Sequence, residues 1–218
     1  MATARTIKID VISDTVCPWC FVGKRRLEEA MSQMKDSGVV FDVQWHPFQL
    51  DADAPVEGRN KAELYTEKFG AAKMAQMMPR MLQTFSELGL TYSLGGMTGN
   101  TLDSHRLINW AFKVGGAGAQ DCVVEYLFAA YFCKERFIND RTLLVEAADS
   151  AGLPGAAEYL ADPNAGLAEV QAELRAARAR AVSGVPNFTI NGKVSLSGAQ
   201  DPSTFVSAFK EVLSSQAP

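Results

Sequence analysis

Cys17-Pro18-Trp19-Cys20 is the stretch that decides the fold, because this C-x-x-C stands where a strand pattern gives way to a helix pattern. Residues 6–12, just before it, alternate apolar with polar side chains, and a period of two predicts a strand. Residues 21–34, just after it, place apolar side chains at helical spacing. Pro18 suits the first turn of that helix, where a missing N–H costs nothing. The sequence therefore predicts that the Cys17 sulfur lies at a helix N-terminus.

The predicted position of Cys17 favours a reactive sulfur. Free backbone N–H groups and the positive end of the helix dipole stabilise an anion there, and the thiolate is the form of cysteine that attacks. Cys20 lies one turn further along, close enough to form a disulfide with Cys17 and to release whatever Cys17 has attacked. The spacing therefore predicts a nucleophilic cysteine and a resolving cysteine, both catalytic.

Two other roles for this motif follow from the residues alone. One is a pair of buried structural thiols. The other is a zinc site, which needs two further ligands. Cys122 and Cys133 form no second C-x-x-C, and His46 and His105 are isolated in the sequence. We therefore predict no metal site.

The composition limits the functions open to the chain. Its 218 residues, 47% hydrophobic and 21% charged, suit one domain or one domain with a large insertion. A net charge of -4 argues against nucleic acid as a partner, and no stretch approaches the roughly 18 consecutive apolar residues of a membrane span. Residues 1–5 lack the apolar region of a signal peptide. We therefore expect a cytoplasmic protein, in which a C-x-x-C indicates redox chemistry and not a disulfide framework.

The remaining sequence predicts a sheet interrupted by a helical block. Residues 39–46 alternate as a second strand and complete a strand–helix–strand unit. Residues 59–181 have an almost entirely helical pattern that cannot extend a sheet, so they predict an inserted subdomain. The period of two returns over residues 185–190, and Asn191-Gly192 predicts a hairpin to a strand over residues 193–197.

The predicted organisation is α/β with a large all-α insertion. Residues 1–55 hold the strand–helix–strand unit with the C-x-x-C, and residues 56–164 form the insertion. Residues 165–218 add a helix, two strands and a last helix that begins after Asp201-Pro202. The predicted helices between the second and third strands of the sheet are residues 61–69, 71–88, 101–114, 119–134, 141–151, 156–159 and 165–182.

Three stretches resemble the FrnE-type dithiol oxidoreductases: SDTVCPWCFVGK at residues 13–24, GNTLDSHRL at residues 99–107 and SGAQ at residues 197–200. The C-x-x-C after the first strand, the helical insertion and Gly184-Val185-Pro186 also resemble the DsbA branch of the thioredoxin fold. The resemblance covers nearly the whole chain. It implies a thioredoxin-like fold with a large inserted all-α subdomain, and a thiol–disulfide oxidoreductase or isomerase that acts on protein or small-molecule disulfides and thiols.

The resemblance also assigns residues around the motif. It implies that Pro186 is a cis-proline facing the C-x-x-C and that the Val185 backbone is free to pair with an extended substrate segment beside Cys17. The alternative is an ordinary proline at the start of a strand. By the same analogy Asn100 and His105 line a substrate cleft, although a helix start near Asn100, with His105 in its first turn, is a sufficient explanation from the residues alone.

Trp19 and a row of methionines leave two interpretations open. Trp19, with Pro18 beside it, is either a contact platform for substrate or packed against the insertion. The methionines recur at i, i+3, i+4 and i+7 of a predicted helix, which favours core packing over a peptide-binding lip beside the C-x-x-C. They are Met74, Met77, Met78 and Met81. Pro79 among them should kink or end that helix.

The other cysteines and the charges near the C-terminus are predicted to be structural. Cys122 and Cys133 fall in one predicted helix, eleven residues and about 16 Å apart, which is too far for a disulfide. We interpret them as small buried hydrophobic residues. The charged residues of the predicted helix 165–182, Glu169 and Glu173 among them, indicate a solvated face.

Relatives of the same fold supply a second function, that of the glutathione-dependent isomerases and transferases of the 2-hydroxychromene-2-carboxylate isomerase and kappa types. Those enzymes typically have a serine where this chain has Cys17, so that a bound glutathione supplies the thiol. A chaperone-like module that holds unfolded segments is a third function. For the oxidoreductase we expect no bound cofactor. We expect its redox partner to be glutathione or the thioredoxin system, and we expect the protein to be a monomer or a homodimer.

Overall fold

The computed structural model of the chain describes residues 5–215, so the expectation about a signal peptide, which rests on residues 1–5, lies outside the described residues except for Arg5. In chain order the strands and helices are β1 (Arg5–Ser13), α1 (Pro18–Ser32), β2 (Val39–Pro47), β3 (Arg59–Asn60), α2 (Lys61–Phe69), α3 (Ala71–Glu87), β4 (Met97–Thr98), α4 (Leu102–Cys133), α5 (Arg141–Ser150), α6 (Ala156–Ala161), α7 (Leu167–Ala179), β5 (Asn187–Ile190), β6 (Val194–Ser197) and α8 (Pro202–Ser214).

The main sheet has the strand order β2-β1-β5-β6. β1 pairs in parallel with β2 along its whole length, from Arg5 opposite Val39 to Ser13 opposite Pro47, and antiparallel with β5. The first two strands and α1 therefore form the predicted strand–helix–strand unit. Because β1 lies inside the sheet, strands on both sides fix its carboxyl end, which leads into the C-x-x-C.

The predicted hairpin joins β5 to β6. Asn191 and Gly192 have φ of 49° and 66°, the left-handed conformation that a two-residue hairpin turn needs. The Asn191 side-chain oxygen accepts a hydrogen bond from the N–H of Lys8 at 2.7 Å, which ties the turn to β1. β5 begins two residues later than the pattern predicts, because its pairing with β1 starts at Asn187, opposite Ile12.

Helices α2 to α7 lie between β2 and β5, as the helical pattern predicts. The insertion also holds a two-stranded sheet, in which Arg59 of β3 lies opposite Thr98 of β4 and Asn60 lies opposite Met97. Strands of two residues are too short to show a period in the sequence. The boundaries after residues 55 and 164 stay predictions. Within residues 5–215, no helix has both the length and the apolar character needed to cross a membrane.

A glycine and a proline shape the two long helices. The helices predicted at residues 101–114 and 119–134 form one element, α4, which is interrupted at Gly116, where φ is 73°. Pro79 does not end α3, which continues to Glu87. The buried residues of α3, among them Met74 and Phe85, pack on both sides of the proline and hold the helix together despite the lost hydrogen bond.

An aromatic cluster ties the first turn of α1 to the insertion. The centroid of the Phe21 ring, directly after Cys20, lies 5.2 Å from that of Phe128, 5.9 Å from Phe85 and 6.1 Å from Phe132. All four rings are buried, and aromatic pairs of this geometry add about 0.5–1.5 kcal/mol each beyond the area that they bury. The cluster therefore holds the C-x-x-C against α3 and α4.

Candidate active site

Cys17 occupies the N-cap of α1. Its backbone is extended, with φ -91° and ψ 111°, and Pro18 follows in the first turn of the helix. The N–H of Cys17 donates to the Asp14 carbonyl at 3.0 Å, and the N–H of Cys20 donates to the Cys17 carbonyl at 3.0 Å. β1 thus passes into α1 through a tight turn, and the Cys17 side chain stands at the positive end of the helix dipole.

The two cysteines of the motif differ in access, and the pKa of one of them, Cys20, is shifted. Cys17 is 5% exposed and lines a cavity, whereas Cys20 is fully buried. Burial raises the pKa of the Cys20 thiol well above its usual range, and the neighbouring Cys17 raises it further. Cys20 is therefore held as a thiol, and Cys17 is the sulfur that an incoming molecule meets first.

The segment before β5 meets the C-x-x-C. The Val185–Pro186 peptide bond is cis, as the resemblance implied, and Pro186 is buried. The Cys17 thiol donates a hydrogen bond to the Val185 carbonyl, with sulfur and oxygen 3.5 Å apart. The Val185 carbonyl therefore faces the Cys17 sulfur.

Gly23 lets α1 approach this segment closely. A Cβ at Gly23 would lie 3.0 Å from Cγ of Pro186 and 3.0 Å from Cζ of Phe188, closer than carbon atoms normally pack. Sequence reasoning missed this contact, although a glycine inside a helical pattern is a signal of close packing.

A cavity of about 490 Å³ opens beside Cys17, and its walls come from α1, α2, α3 and the loops next to them. Of the predicted substrate contacts, Pro18, Trp19 and Val185 line it. The α2 helix contributes Tyr65, which sequence reasoning did not single out. Most of the lining side chains are apolar, as in sites that bind apolar groups.

The four methionines of α3 form one wall of this cavity. Met74 and Met81 are buried, whereas Met77 and Met78 are half-buried. Met78 still packs against the core, so the prediction of core packing holds for three of the four, and the same row lines the cavity beside the C-x-x-C. The pattern along the helix does not decide this, because the opposite walls of the cavity are built from other parts of the chain.

Both interpretations of Trp19, packing against the insertion and contact with a substrate, agree with its position. Its half-buried ring packs against the core, and the guanidinium of Arg80, from α3, lies 5.9 Å from the ring centroid. The same ring lines the cavity. Trp19 therefore connects the motif to the insertion and also offers an apolar surface beside Cys17.

Asn100 is not among the described residues that line the cavity. Its side chain donates to the carbonyls of Ala52 and Ala54, at 3.1 and 3.2 Å, and accepts from the N–H of Leu102 at 2.9 Å. The structure therefore places Asn100 where it fixes the loop before the insertion to the start of α4, which agrees with a helix start.

His105 lies away from the cavity lining as well, and it is not isolated. It is 3% exposed, and its Nε2 lies 3.3 Å from Oδ1 of Asp14, three residues before Cys17. The other Asp14 oxygen accepts from the N–H of Leu50 at 2.8 Å. Sequence reasoning missed Asp14, although a carboxylate between a buried strand and a C-x-x-C was an available signal.

Cys122 and Cys133 are free thiols on α4. Each is half-buried, so the prediction of full burial is wrong. The Cys122 sulfur reaches only the end of α5, at 3.5 Å from the Ser150 carbonyl, and stays partly open. Within residues 5–215, no three His, Cys, Asp or Glu side chains converge as a metal site would require.

Glu173 departs from the solvated face predicted for α7, and it engages His46. Its carboxylate lies 2.8 Å from Nδ1 of His46 and 2.7 Å from the Asn109 amide nitrogen, while Nε2 of His46 lies 3.1 Å from Asp10. Burial by itself would lower the pKa of His46, but the two carboxylates outweigh it and raise that pKa above its ordinary value. His46 thus ties β2 to β1 and α7.

Comparison with known proteins identifies the family of the chain. Residues 8–210 match the family described as the DSBA-like thioredoxin domain. The chain belongs to that family. A solved structure of a probable DsbA oxidoreductase from Streptomyces coelicolor is 30% identical, and the match covers 97% of this chain and 92% of that one with a TM-score of 0.86.

Two solved structures of lower identity share the DSBA-like fold. One is a 2-hydroxychromene-2-carboxylate isomerase, 16% identical over 94% of this chain and 96% of that one, with a TM-score of 0.67. The other is the cytosolic disulfide reductase DsbM from Pseudomonas aeruginosa with GSH, 17% identical over 94% of this chain and 98% of that one, with a TM-score of 0.64. At these identities the likeness shows the fold alone.

DSBA-like oxidoreductases act on thiols and disulfides. The chain therefore belongs to a family of disulfide oxidoreductases. Its fold brings the C-x-x-C, the Val185 carbonyl and an apolar cavity together in one place.

Proposed function

We propose that the chain exchanges disulfides through a Cys17–Cys20 dithiol, with Cys17 as the attacking sulfur and Cys20 as the resolving sulfur. One observation carries the proposal: Cys17 stands at the N-terminus of α1 and opens onto the cavity, while Cys20 is fully buried. An incoming disulfide therefore meets Cys17 first. The attack requires the thiolate form of the cysteine.

The reaction consists of two exchanges. The Cys17 thiolate attacks one sulfur of the partner disulfide, a bond forms between those two sulfurs, and the second partner sulfur leaves as a thiolate. Cys20 then gives up its proton and attacks the Cys17 sulfur, which forms the Cys17–Cys20 disulfide and releases the remaining partner sulfur. The partner gains two electrons and the dithiol loses two, and the reverse sequence oxidises a partner dithiol. No bound cofactor is needed, since both sulfurs belong to the chain.

The Val185 carbonyl supports a bound segment. In the reduced site it accepts the hydrogen bond of the Cys17 thiol. Once Cys17 has lost its proton or formed a disulfide, this carbonyl accepts instead from an N–H of an extended partner segment. Pro186, packed against Gly23, holds the carbonyl in place, and the Trp19 ring provides the apolar surface beside it.

The cavity favours a partner cysteine that is flanked by apolar side chains. Methionine side chains are flexible and polarisable, so a wall of four of them adapts to different apolar partners. Among the described lining residues the cations are Arg59 and Lys68, and Glu67 holds Arg59 through two contacts of 2.8 Å. Asp51 and Asp53 add negative charge to the lining. We therefore assign extended protein segments as the main partners.

Glutathione matches this lining less well, because it carries two carboxylates. It suits the role of the redox partner that recycles the dithiol, and DsbM, which shares the fold, was solved with GSH. The thioredoxin system is the alternative recycling partner.

Trapping the mixed disulfide tests the mechanism. The Cys20→Ser protein should accumulate a covalent adduct with a peptide disulfide, seen as a mass increase equal to one peptide thiol, and the Cys17→Ser protein should form none. A double Cys122→Ser, Cys133→Ser variant is the matched control and should exchange disulfides like the unmodified chain. Exchange that survives in Cys17→Ser would overturn the mechanism. Glutathione binding with conversion of an aromatic substrate, retained in Cys17→Ser, would favour the isomerase instead.

The methionine wall also favours a second function, the holding of unfolded segments. Apolar contact and not sulfur chemistry would retain the segment, so suppression of aggregation should survive replacement of both Cys17 and Cys20 by serine. Light scattering of a thermally unfolding client protein measures this. Suppression that disappears with the two cysteines would contradict a holding function.

A further inference from the structure

A second cavity, of about 530 Å³, adjoins the cavity beside Cys17. Gly184 lines both cavities, so they meet one residue before Val185, whose carbonyl faces the Cys17 sulfur. The cavity beside Cys17 is mostly apolar, whereas the second is lined by hydroxyl and amide side chains and by Arg180. A segment that leaves the Cys17 cavity past Gly184 therefore enters a polar cavity.

The floor of the polar cavity is one face of the hairpin formed by β5 and β6. Asn187 lies opposite Ser197, and Thr189 lies opposite Ser195. Residues that are opposite each other in a sheet point to the same face, and all four of these line the cavity. Phe188, between the two β5 residues, is fully buried on the other face. The hairpin therefore has one apolar face, in the core, and one polar face, in the cavity.

Helix α7 covers the neighbouring half of this sheet face and ends before the hairpin. Ile12 lies opposite both His46 and Asn187, so these three residues share the face. Glu173 of α7 bonds to His46 at 2.8 Å, whereas α7 ends with the residue before Arg180. Arg180 and the loop after it form the wall of the polar cavity. The floor beyond the end of α7 thus stays open to a bound molecule.

Arg180 gives the polar cavity a positive charge. It is the one charged side chain among the described residues of the lining, and no carboxylate of residues 5–215 lies within 4 Å of it. Asp10, opposite Thr189, is outside the lining, and it pairs with Lys8 at 3.2 Å and with His46 at 3.1 Å. A guanidinium binds a carboxylate with two parallel N–H donors. The cavity therefore offers the groups that bind an acidic side chain.

We propose that the polar cavity binds the partner segment on one side of its cysteine and selects an acidic side chain there, which pairs with Arg180. The proposal rests on the proposed function and adds a specificity to it. Asp51 and Asp53 line the Cys17 cavity and repel an acidic side chain, so the acidic residue has one preferred side. In this orientation the apolar residues of the partner contact the methionine wall.

The reach of an extended segment agrees with this assignment. At about 3.3 Å per residue, Asn187 and Thr189 lie roughly 7 and 13 Å from Val185 along the chain. A residue three positions from the partner cysteine lies roughly 10 Å from that cysteine in an extended segment. Because the partner cysteine is held at Cys17, beside the Val185 carbonyl, the side chain three positions away reaches the floor of the polar cavity.

Two pairs of peptide disulfides test the proposal. All four peptides carry apolar residues beside the cysteine. One pair has aspartate or asparagine three residues before the cysteine, and the other pair has aspartate or asparagine three residues after it. At one of the two positions, and at that one alone, aspartate should lower the KM for exchange about two- to fivefold relative to asparagine, as expected for a partly exposed ion pair.

Arg180→Gln should bring the ratio of the two KM values close to one. Arg178→Gln is the matched control, because Arg178 is an exposed arginine of the same helix outside the described lining. It removes the same net charge and should leave the preference for aspartate intact. The KM ratio within one protein does not depend on how much of that protein is folded, so the two variants can be compared directly.

Three results would overturn the inference and leave the Cys17–Cys20 mechanism standing. One is exchange without any preference for aspartate in the unmodified chain. Another is an equal preference at both peptide positions, and the third is a preference that both variants weaken alike, since each would indicate attraction by the overall charge and not a bound side chain. Failure of the proposed function would look different, because then none of the four peptides would be exchanged.

Discussion

The thiol of Cys17 lies 3.5 Å from the carbonyl oxygen of Val185, which is 168 residues further along the chain. The contact joins the junction of β1 and α1 to the segment before β5, and β1 places both, since it leads into the C-x-x-C and pairs with β5. Gly23 allows α1 to come this close, because a Cβ there would meet Pro186. The candidate active site therefore depends on backbone contacts between distant segments.

Gly23→Ala should destabilise the protein and slow disulfide exchange. The added Cβ would lie 3.0 Å from Pro186 and from Phe188, and both rings are buried with little room to shift. Overpacking of this kind costs about 1–3 kcal/mol. That cost exceeds the roughly 1 kcal/mol that alanine gains over glycine inside a helix. Urea unfolding measures the free energy, and the rate of thiol release measures the exchange.

Gly118→Ala is the matched control for this prediction. Gly118 also lies within a helix, α4, but no atom comes within 4 Å of a Cβ built there. The substitution should raise the free energy of unfolding by up to about 1 kcal/mol and leave exchange unchanged. If Gly23→Ala were as stabilising as Gly118→Ala, the close approach of α1 to Pro186 would be wrong.

Met78→Ser should weaken the binding of partner peptides without changing the chemistry at Cys17. Met78 is half-buried on the cavity wall, so its truncation removes roughly 1 kcal/mol of apolar contact. We expect KM to rise about fivefold for a peptide with apolar residues beside its cysteine, with kcat unchanged. Met97→Ser, at a 38% exposed residue outside the described cavity lining, should change neither constant. A lower kcat at constant KM would contradict a binding role.

Local patterns made part of this structure predictable. The strand before Cys17 and the hairpin at Asn191-Gly192 depend on residues close in sequence, so a period of two and a turn dipeptide suffice. The cis peptide bond before Pro186 was expected only from the resemblance. The strand and the hairpin could be predicted because their local patterns lie within single segments, whereas the cis bond has no such pattern.

The same local patterns do not predict contacts between residues that are far apart in the sequence. Asp14 and His105 are 91 residues apart, and a buried acid–histidine pair has no local signature. Tyr65 and Met78 are residues of amphipathic helices. The sequence of such a helix shows that one face must be buried, but it does not show which part of the chain covers that face. Only the folded insertion brings them to the cavity beside Cys17. The position of the C-x-x-C at a junction of strand and helix was therefore predictable, whereas the walls of the cavity beside it were not.

The stability of the protein should fall as the pH rises through the titration of His46. The folded-state pKa of His46 lies above its ordinary value of 6.5, so the protonated ring, between Asp10 and Glu173, stabilises the fold. Because a raised pKa contributes fully below the unfolded value, this contribution is complete in mild acid and is lost above the folded pKa. Urea unfolding at about pH 6 and about pH 8 measures the loss.

His46→Gln separates this effect from other titrations. Glutamine fills a similar space and takes no proton in this range, so its free energy of unfolding should change less between the two pH values. The charged groups nearby are Lys8, paired with Asp10 at 3.2 Å, and Arg180, which lines the small cavity next to His46. An identical pH dependence in the two proteins would contradict the role of His46.

The second exchange should accelerate with pH, because Cys20 attacks only as a thiolate. Burial raises the pKa of Cys20 well above its ordinary value of 9.0. The logarithm of the resolution rate should therefore rise with a slope of about one from roughly pH 6 to pH 9, without a plateau. Mixing the preformed Cys17 adduct into buffers of graded pH and following peptide release by mass gives this rate.

The Ser13→Ala variant gives a second test of the prediction that loss of the Cys20 proton limits the second exchange. A hydrogen bond from the Ser13 side chain lowers the pKa of Cys20 and so opposes the effect of burial. Its removal leaves less thiolate at a given pH, so the second exchange should slow several-fold at neutral pH while the first exchange keeps its rate. A plateau below about pH 8 in the unmodified chain, or an unchanged second exchange in Ser13→Ala, would mean that loss of the Cys20 proton does not limit resolution.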